Sequence, residues 1–357
     1  MHSNTNLYEA HNQWANRPPD QRFASLDDLY KFTSERRHFS NERRSAMRDI
    51  KLVVTDLDDL AVNSSVPQSR LTHWSFGQLC SHTRTPASYL RGLPPSLARE
   101  CLDHGLKKSC GKTKLLLLED SDSGLQTLGA VTGPEYGRIW DSQVVSGLME
   151  AIQGTGWRVP HAITAFGSEA SGLYASDRDM FAFMVHDEKP LEIGDAKLGR
   201  GFFLWNSETG AATFGLTTFL YNYVCGNHIV WGADQIEELR IVHRKWAPEK
   251  FGDVALPMLN RFVESRAAST SIVSAISKAM ETKVGRTLED VQKRFSAERF
   301  TQREIARAWS VGKAEGENVT TLWGMLQGFT AGARQYAHVD ARVRLESRAG
   351  QLLKKLV

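Results

Sequence analysis

Residues 199–246 read GRGFFLWNSETGAATFGLTTFLYNYVCGNHIVWGADQIEELRIVHRKW, a stretch that concentrates strand formers and unusual polar residues in one segment. Phe202, Phe203, Leu204 and Trp205 run into the turn formers Asn206, Ser207, Thr209 and Gly210. A second apolar run ends at the cluster Cys225, Gly226, Asn227 and His228, and a third closes on His243. Short runs of aromatic and β-branched residues, separated by residues that tolerate tight reversals, read as strands joined by turns. The segment is therefore expected to form a β-meander.

Upstream, His161 to Phe166, Gly172 to Ser176 and Met180 to His186 read as further strands. Asp141 is placed to cap a helix running through Val144, Leu148 and Ile152, with Gly154 and Gly156 ending it. Lys114 to Leu118 and Leu125 to Thr132 read as a strand pair around a turn at Asp120 to Gly124, and Asp49 to Val62 as another around Asp56, Asp58 and Asp59. Between these pairs lie three short helices, opened by Thr72, Pro86 and Pro94-Pro95 and finished near Gly105. Beyond Gly252 the pattern is helical. Thr287-x-x-Asp290 and Thr301-x-x-Glu304 have capping-box form, and Val319, Leu322, Trp323, Leu326 and Phe329 share one helical face suited to packing on the sheet.

Consecutive strands with short turns favour an α+β fold over a doubly wound parallel sheet. The expected core is a mainly antiparallel sheet, with short N-terminal helices and a C-terminal helical segment. The reading divides the chain into a polar arm at residues 1–48, with one short helix around Leu26 to Ser34, an α+β core at 49–250, and a basic helical region at 251–357 packed on that core.

With 357 residues, 41% hydrophobic and 24% charged, the composition is that of a globular protein and excludes wholesale disorder. No run approaches the roughly 18 apolar residues of a membrane span, and the first thirty residues have no apolar signal core, so a cytoplasmic protein is expected. Cys80, Cys101, Cys110 and Cys225 are scattered without C-x-x-C spacing, which argues against a disulfide framework or a Cys-rich zinc module. The net charge of +3 conceals an asymmetry: residues 52–238 hold 14 Lys/Arg against 22 Asp/Glu, whereas 239–313 hold 15 against 8. A cationic back half suits a polyanionic partner if folding gathers it on one face.

Three tempting motifs are set aside. Ser109 to Thr113 ends like a phosphate-binding loop, but Gly105 lies one residue too far from Gly111 and the segment leads into a strand. Asp56-x-Asp58 after Leu52 to Val54 resembles the first motif of haloacid-dehalogenase-type phosphatases, yet no alternating βα units follow, and a tight acidic turn explains it. Asn318-Val319-Thr320 fits a glycosylation sequon with no meaning in a cytosolic chain.

Cys225, Asn227 and His243 are the candidates for an enzyme, a thiolate activated by His and oriented by Asn. With His228 the same group offers three zinc ligands but no fourth of obvious type, so no metal site is assigned and no cofactor is expected. Structural roles explain these residues as well, since Cys is among the most buried residue types, and a non-enzymatic protein is favoured. Nucleic-acid binding needs cations for phosphates and flat rings for bases. Arg200, Arg240, Arg244 and Lys245 flank the meander beside Trp205 and Trp246, while Tyr136, Arg138 and Trp140 repeat the mixture in GPEYGRIWD. The candidate binding residues are thus Arg138, Arg200, Arg240, Arg244, Lys245, Tyr136, Trp205 and Trp246, on a common groove.

The Asn-Ser-x-x-Gly turn at Asn206 to Gly210, the Val-Cys-x-Asn element at Val224 to Asn227 and the Ile-x-His element at Ile241 to His243 resemble the family catalogued as domain of unknown function 932. Thr72 to Leu79, Pro86 to Pro94, Thr321 to Gly324 and Gly328 to Thr330 extend the likeness over about residues 49–350, although Arg244-Lys245 stands where many relatives have Thr-Gly or Thr-Ala. The resemblance implies phage and plasmid biology and supplies no active site. The expected function is a mobile-element accessory protein of DNA metabolism that binds single-stranded DNA, in the manner of annealing recombination proteins, with self-assembly into an oligomer. The alternatives are a Cys/His-dependent hydrolase or transferase, and a non-enzymatic protein that binds host proteins to counter defence.

Overall fold

The computed structural model describes residues 21–63, 68–119, 125–159, 172–193, 196–222, 228–230, 239–264 and 270–333, and positions 345, 348, 349, 352 and 355. The expected strand at His161 to Phe166 and the turn at Asp120 to Gly124 lie outside these residues, as do Cys225 and Asn227. The chain is α+β, but its strands form two sheets rather than one.

The first sheet has strand order β2-β6-β7-β5-β4-β3, with β2 at Ser40–Ala46, β3 at Leu52–Val54, β4 at Leu60–Val62, β5 at Ser69–Leu71, β6 at Lys112–Glu119 and β7 at Gln126–Thr132. Every pairing is antiparallel except β5 with β7. That parallel pair needs a crossover, which helices α2 (His73–Thr83), α3 (Ala87–Leu90) and α4 (Pro95–Lys108) provide. Thr72 caps α2 by accepting from the Ser75 N–H, as the sequence suggested. Phe76, Leu79, Leu102 and Leu106 from these helices bury against Leu115, Leu117, Leu128 and Val131 of the sheet. The acidic segment between β3 and β4 is a tight turn, with Asp58 at φ 55°.

Two expectations about local structure change. Residues assigned to a polar arm are built into both sheets: β1 (Arg22–Phe23) pairs with β9 (Leu173–Ala175), and β2 runs the whole length of β6. Ser40–Ala46 carries Glu42, Arg43 and Arg44, with Ala46 as its one apolar residue, so nothing in its composition announces a strand; its pairing comes from the edge of β6. Asp141 is not a cap. Trp140 occupies that position, and Asp141 is the first residue of α5 (Asp141–Ile152).

The second sheet runs β1-β9-β10-β11-β12-β13, with β10 at Met180–Ile193, β11 at Ala196–Asn206, β12 at Phe214–Asn222 and β13 at His228–Val230. Its side branches are β8 (Trp157–Arg158) on β10 and β14 (Leu239–Ile241) on β12. The expected meander is present, antiparallel throughout. Phe202 and Leu204 point to one face, where they meet Val144 and Leu148 of α5 and Leu259 and Val263 of α7 (Leu256–Glu264). α6 (Ala247–Lys250) and a π-helical turn at Phe251–Ala255 lead into α7. Phe203 and Trp205 point to the other face, where Phe183 stacks on Phe203 at 5.2 Å and Phe203 on Trp205 at 5.2 Å. Both faces being buried, the apolar run is continuous rather than alternating. Each such side chain contributes about 1.5–3 kcal/mol by leaving water.

Helices α8 (Thr270–Glu281), α9 (Leu288–Ser296), α10 (Gln302–Ala314) and α11 (Leu322–Ala333) form a third apolar cluster that includes Ile193 and Leu198 at the far end of the second sheet. Both capping boxes are made, with Thr287 and Thr301 accepting from the Asp290 and Glu304 N–H groups. Trp323, Leu326 and Phe329 are buried in this cluster. Among the described residues, no helix is long and apolar enough to cross a membrane.

Trp205 lies flat on β12 only because residue 215 has no side chain: a Cβ on Gly215 would sit 1.9 Å from Trp205 Cζ2. Gly215→Ala is therefore expected to lower stability by about 1–3 kcal/mol through overpacking, seen as a fall in the urea midpoint; an unchanged midpoint would mean that the ring has room to move.

Candidate functional site

The turn between β11 and β12 is polar and yet buried: Asn206, Ser207, Glu208 and Thr209 are each at most 1% exposed. Polar groups survive in such a place only when bonded. Asn206 Nδ2 donates to Ile139 O at 2.8 Å and to Asp141 Oδ1 at 2.7 Å. Glu208 Oε1 accepts the Asp141 N–H at 2.8 Å, so a residue 67 positions along the chain caps α5. Its other oxygen faces Arg36 Nε at 3.5 Å, and Arg36, from α1 (Leu26–His38), also donates to the carbonyls of Ser176 and Asp177. Ser207 Oγ and Thr209 Oγ1 donate to the Arg178 carbonyl at 2.5 and 2.9 Å. Gly210 closes the turn at φ +85°, a backbone conformation that favours glycine.

The walls of a cleft of about 670 Å³ hang from this turn. Thr209 O accepts from Trp74 Nε1 at 3.0 Å and from Gln78 Nε2 at 2.8 Å, while Gln78 Oε1 accepts the Val131 N–H at 2.7 Å. Ser207 O accepts from the Tyr136 hydroxyl at 2.9 Å. His73, His82, Arg91 and Arg178 also line the cleft, and among the described lining residues none is Asp or Glu. The Arg178 guanidinium lies 4.6 Å over the Trp74 ring, and Arg91 lies 5.2 Å over Phe76 while donating to His73 O at 2.9 Å. Such a cleft has donors, positive charge and an aromatic face, the chemistry for a planar anionic ligand.

Behind the cleft, the loop holding Tyr136 and Arg138 packs on the segment after β14. Gly137 donates its N–H to His243 O at 3.3 Å, and His243 Nδ1 meets Gly137 O at 3.1 Å. Because that partner is a carbonyl, the proton sits on Nδ1 and the lone pair on Nε2. The His243 imidazole stacks on Tyr136 at 5.1 Å. Burial drives its pKa down to about 4 despite the bond to Gly137, with the nearby Arg138 adding to the fall, so the ring is neutral at pH 7. Burial likewise raises the Tyr136 hydroxyl, and burial followed by the Glu208 carboxylate pushes the Asp141 carboxyl well above the usual carboxylate range, against the pull of Arg36 and Asn206.

The cationic and aromatic residues picked from the sequence do not share one groove. Trp205 is 1% exposed and belongs to the core. Arg138 is 5% exposed, paired with Glu42 at 2.8 Å and laid over the Tyr136 and Trp140 rings, so it ties β2 to this loop rather than meeting a phosphate. Arg200 is half-buried over Phe262 and Trp157, and Arg240 is half-buried over Trp205. Arg244, Lys245 and Trp246 are exposed, with Lys245 Nζ 5.0 Å over the Trp246 ring. Tyr136 alone of the set reaches the cleft. His243 has a buried, bonded role, while Cys225, Asn227 and the side chain of His228 lie outside the described residues. Among the described residues, no three His, Cys, Asp or Glu side chains are grouped to hold a metal.

Sequence reasoning missed Trp74, Arg91 and Arg178. The first had a visible signal: Trp74, Gln78 and His82 follow each other at i, i+4 and i+8 on α2, alongside Gly77 and Ser81, a polar row opposite the apolar one of Phe76, Leu79 and Cys80. Arg178 had none, because its place depends on Thr209 and Ser207, some thirty residues away.

Two sheets joined through a buried polar turn that also carries a cationic, aromatic cleft define the class of this α+β protein. The chain belongs to the family described as Domain of unknown function (DUF932), whose model matches residues 129–356. No curated protein and no solved structure matches it. The matched residues take in α5, most of the second sheet and the C-terminal helices. Helix α2 and the stretches Thr72 to Leu79 and Pro86 to Pro94 lie outside them, so the cleft joins matched and unmatched parts of the chain.

Two pH effects follow from the buried groups. The unfolded chain takes up a proton on His243 near pH 6.5 that the folded state refuses until about pH 4, so stability falls by about 3 kcal/mol as pH drops through that window. His243→Gln should flatten this acid-side slope in denaturation curves measured from pH 7 to 4. Asp141 works with the opposite sign: its folded pKa is raised, so its ionised form is a burden that grows as pH rises from the unfolded value near 3.9. Asp141→Asn should gain stability over the wild type with increasing pH, and a variant whose advantage shrinks with pH would contradict the assignment.

Proposed function

We propose that the chain binds single-stranded nucleic acid, DNA foremost, as an accessory protein of DNA metabolism on a mobile element. The single observation carrying this reading is the cleft in which Arg178 lies over Trp74 with Arg91, His73 and His82 at its walls and no carboxylate among its described lining residues. Phosphates are held by cations and bases by flat rings, without sequence readout. Exposed Arg244, Lys245 and Trp246 extend the same chemistry beyond the Tyr136 loop, since Gly137 packs against the Arg244 backbone. Strand annealing belongs to the same reading and needs two strands side by side, hence self-assembly.

The Cys/His hydrolase reading has less support. His243 is buried, bonded to Gly137 and held neutral, which leaves it a poor base for a thiol. Cys225 and Asn227, the other members of that group, lie outside the described residues.

Fluorescence anisotropy with a labelled single-stranded oligonucleotide across a salt series should give affinity falling with a steep negative log–log slope. The double substitution Arg91→Ala and Arg178→Ala should weaken binding about tenfold or more and reduce the slope by about 1–2. Arg244→Ala with Lys245→Ala should cost less. Binding with no salt dependence, or no binding, would sink the proposal.

A further inference from the structure

The cleft differs from a groove that tracks a polyanion, because among its described lining residues Trp74 is the one stacking platform. Trp74 is fixed in place by the bond from its indole N–H to Thr209 O, and among the described residues the group over its ring is the exposed side chain of Arg178. Tyr136 also lines the cleft, but its ring is already packed against His243 at 5.1 Å and Arg138 at 5.2 Å. Phe76 is buried beneath Arg91. A volume of about 670 Å³ falls within the range of small-ligand pockets.

The cations are arranged around that platform. Arg178 stands on a rigid turn: its carbonyl accepts from Ser207 and Thr209, its N–H donates to Ser176 Oγ at 3.0 Å, and Ser176 is in turn bonded to Asp179, which Tyr174 also bonds. Its backbone is thereby held while its side chain projects into the cleft. Arg91 lies against α2, where it donates to His73 O and sits beside Gly77, whose Cβ position lies 3.4 Å from Arg91 Nη2. Gln78, the amide best placed to read a base edge, is engaged at both ends, by Thr209 O and by the Val131 N–H. Edge readout is therefore weak and stacking dominates, which makes the pocket tolerant of base identity.

We infer that the cleft is a site for one unpaired nucleotide, with its base stacked on Trp74 in the place that the exposed Arg178 guanidinium takes, 4.6 Å over the ring, and its phosphate held by the displaced Arg178, Arg91 and the rim histidines. This rests on the nucleic-acid reading and deepens it: the strand is anchored at one nucleotide and guided elsewhere by surface charge. A free nucleoside monophosphate is then a ligand in its own right and competes with the strand.

Calorimetry on the full chain with dAMP, dCMP and inorganic phosphate tests this, beside competition against a bound labelled oligonucleotide. Both nucleotides should bind within a few-fold of each other and at least tenfold more tightly than phosphate, and should displace the strand. Arg178→Ala should lose about tenfold for nucleotides; its exposed side chain leaves the fold intact, so it keeps the test decisive if Trp74→Leu, which also breaks the Thr209 bond, fails to fold. Phosphate binding as well as dAMP, or Arg178→Ala leaving dAMP binding unchanged, would overturn the inference. Oligonucleotide binding without mononucleotide binding would overturn it too and leave the proposed function standing, whereas loss of both would remove the two together.

Discussion

The structure turns on the hydrogen bonds that satisfy a buried polar turn. Asn206 to Thr209 bring four polar side chains and their backbone into a place without water, where each unmade bond costs about 1–3 kcal/mol. Their partners come from separate parts of the chain: Trp74 and Gln78 from α2, Tyr136 and Asp141 from the segment around α5, Arg178 from the turn before β10, and Arg36 from α1. These bonds tie α2, which packs on the first sheet, to a turn of the second sheet. The cleft is a by-product of the same requirement, since the groups that bond the turn from outside are the groups that form its walls.

Electrostatics sharpen this dependence. Asp141 and Glu208 lie together in the interior beside the Arg36 guanidinium, and Glu208 Oε1 accepts the Asp141 N–H at the start of α5. Burial and mutual repulsion keep Asp141 reluctant to ionise. Arg138 is compensated differently, with one pairing to Glu42 and two aromatic neighbours. Charge placed inside this protein is thus used for holding segments together, while charge available to a ligand sits on Arg91, Arg178 and the surface near Trp246.

Much of the local structure was legible along the chain. Thr72, Thr287 and Thr301 announced helix starts because a cap is satisfied within three residues, and the strands of the meander announced themselves by apolar runs ending at turn formers. The two misreadings share one cause. Ser40–Ala46 is a strand because β6 offers it an edge, and Asp141 is capped rather than capping because Glu208 reaches it from another element. The site fared likewise: of the residues singled out, Tyr136 lines the cleft, Trp205 and Arg138 were expected at a surface and lie inside, and Arg178 was not noticed.

The amino-acid order by itself determined the secondary structure, the α+β class and the kinship to the family, because periodicity, capping and turn chemistry act over a few residues. Tertiary structure alone decided that the strands divide into two sheets, which of the aromatic and basic side chains face water, and where the cleft opens. Those outcomes depend on hydrogen bonds and ion pairs between residues far apart in the chain, such as Trp74 with Thr209 at 135 positions and Arg36 with Glu208 at 172. No local pattern encodes a partner at that distance, since the bond becomes favourable only after folding has removed the water that would otherwise compete for it.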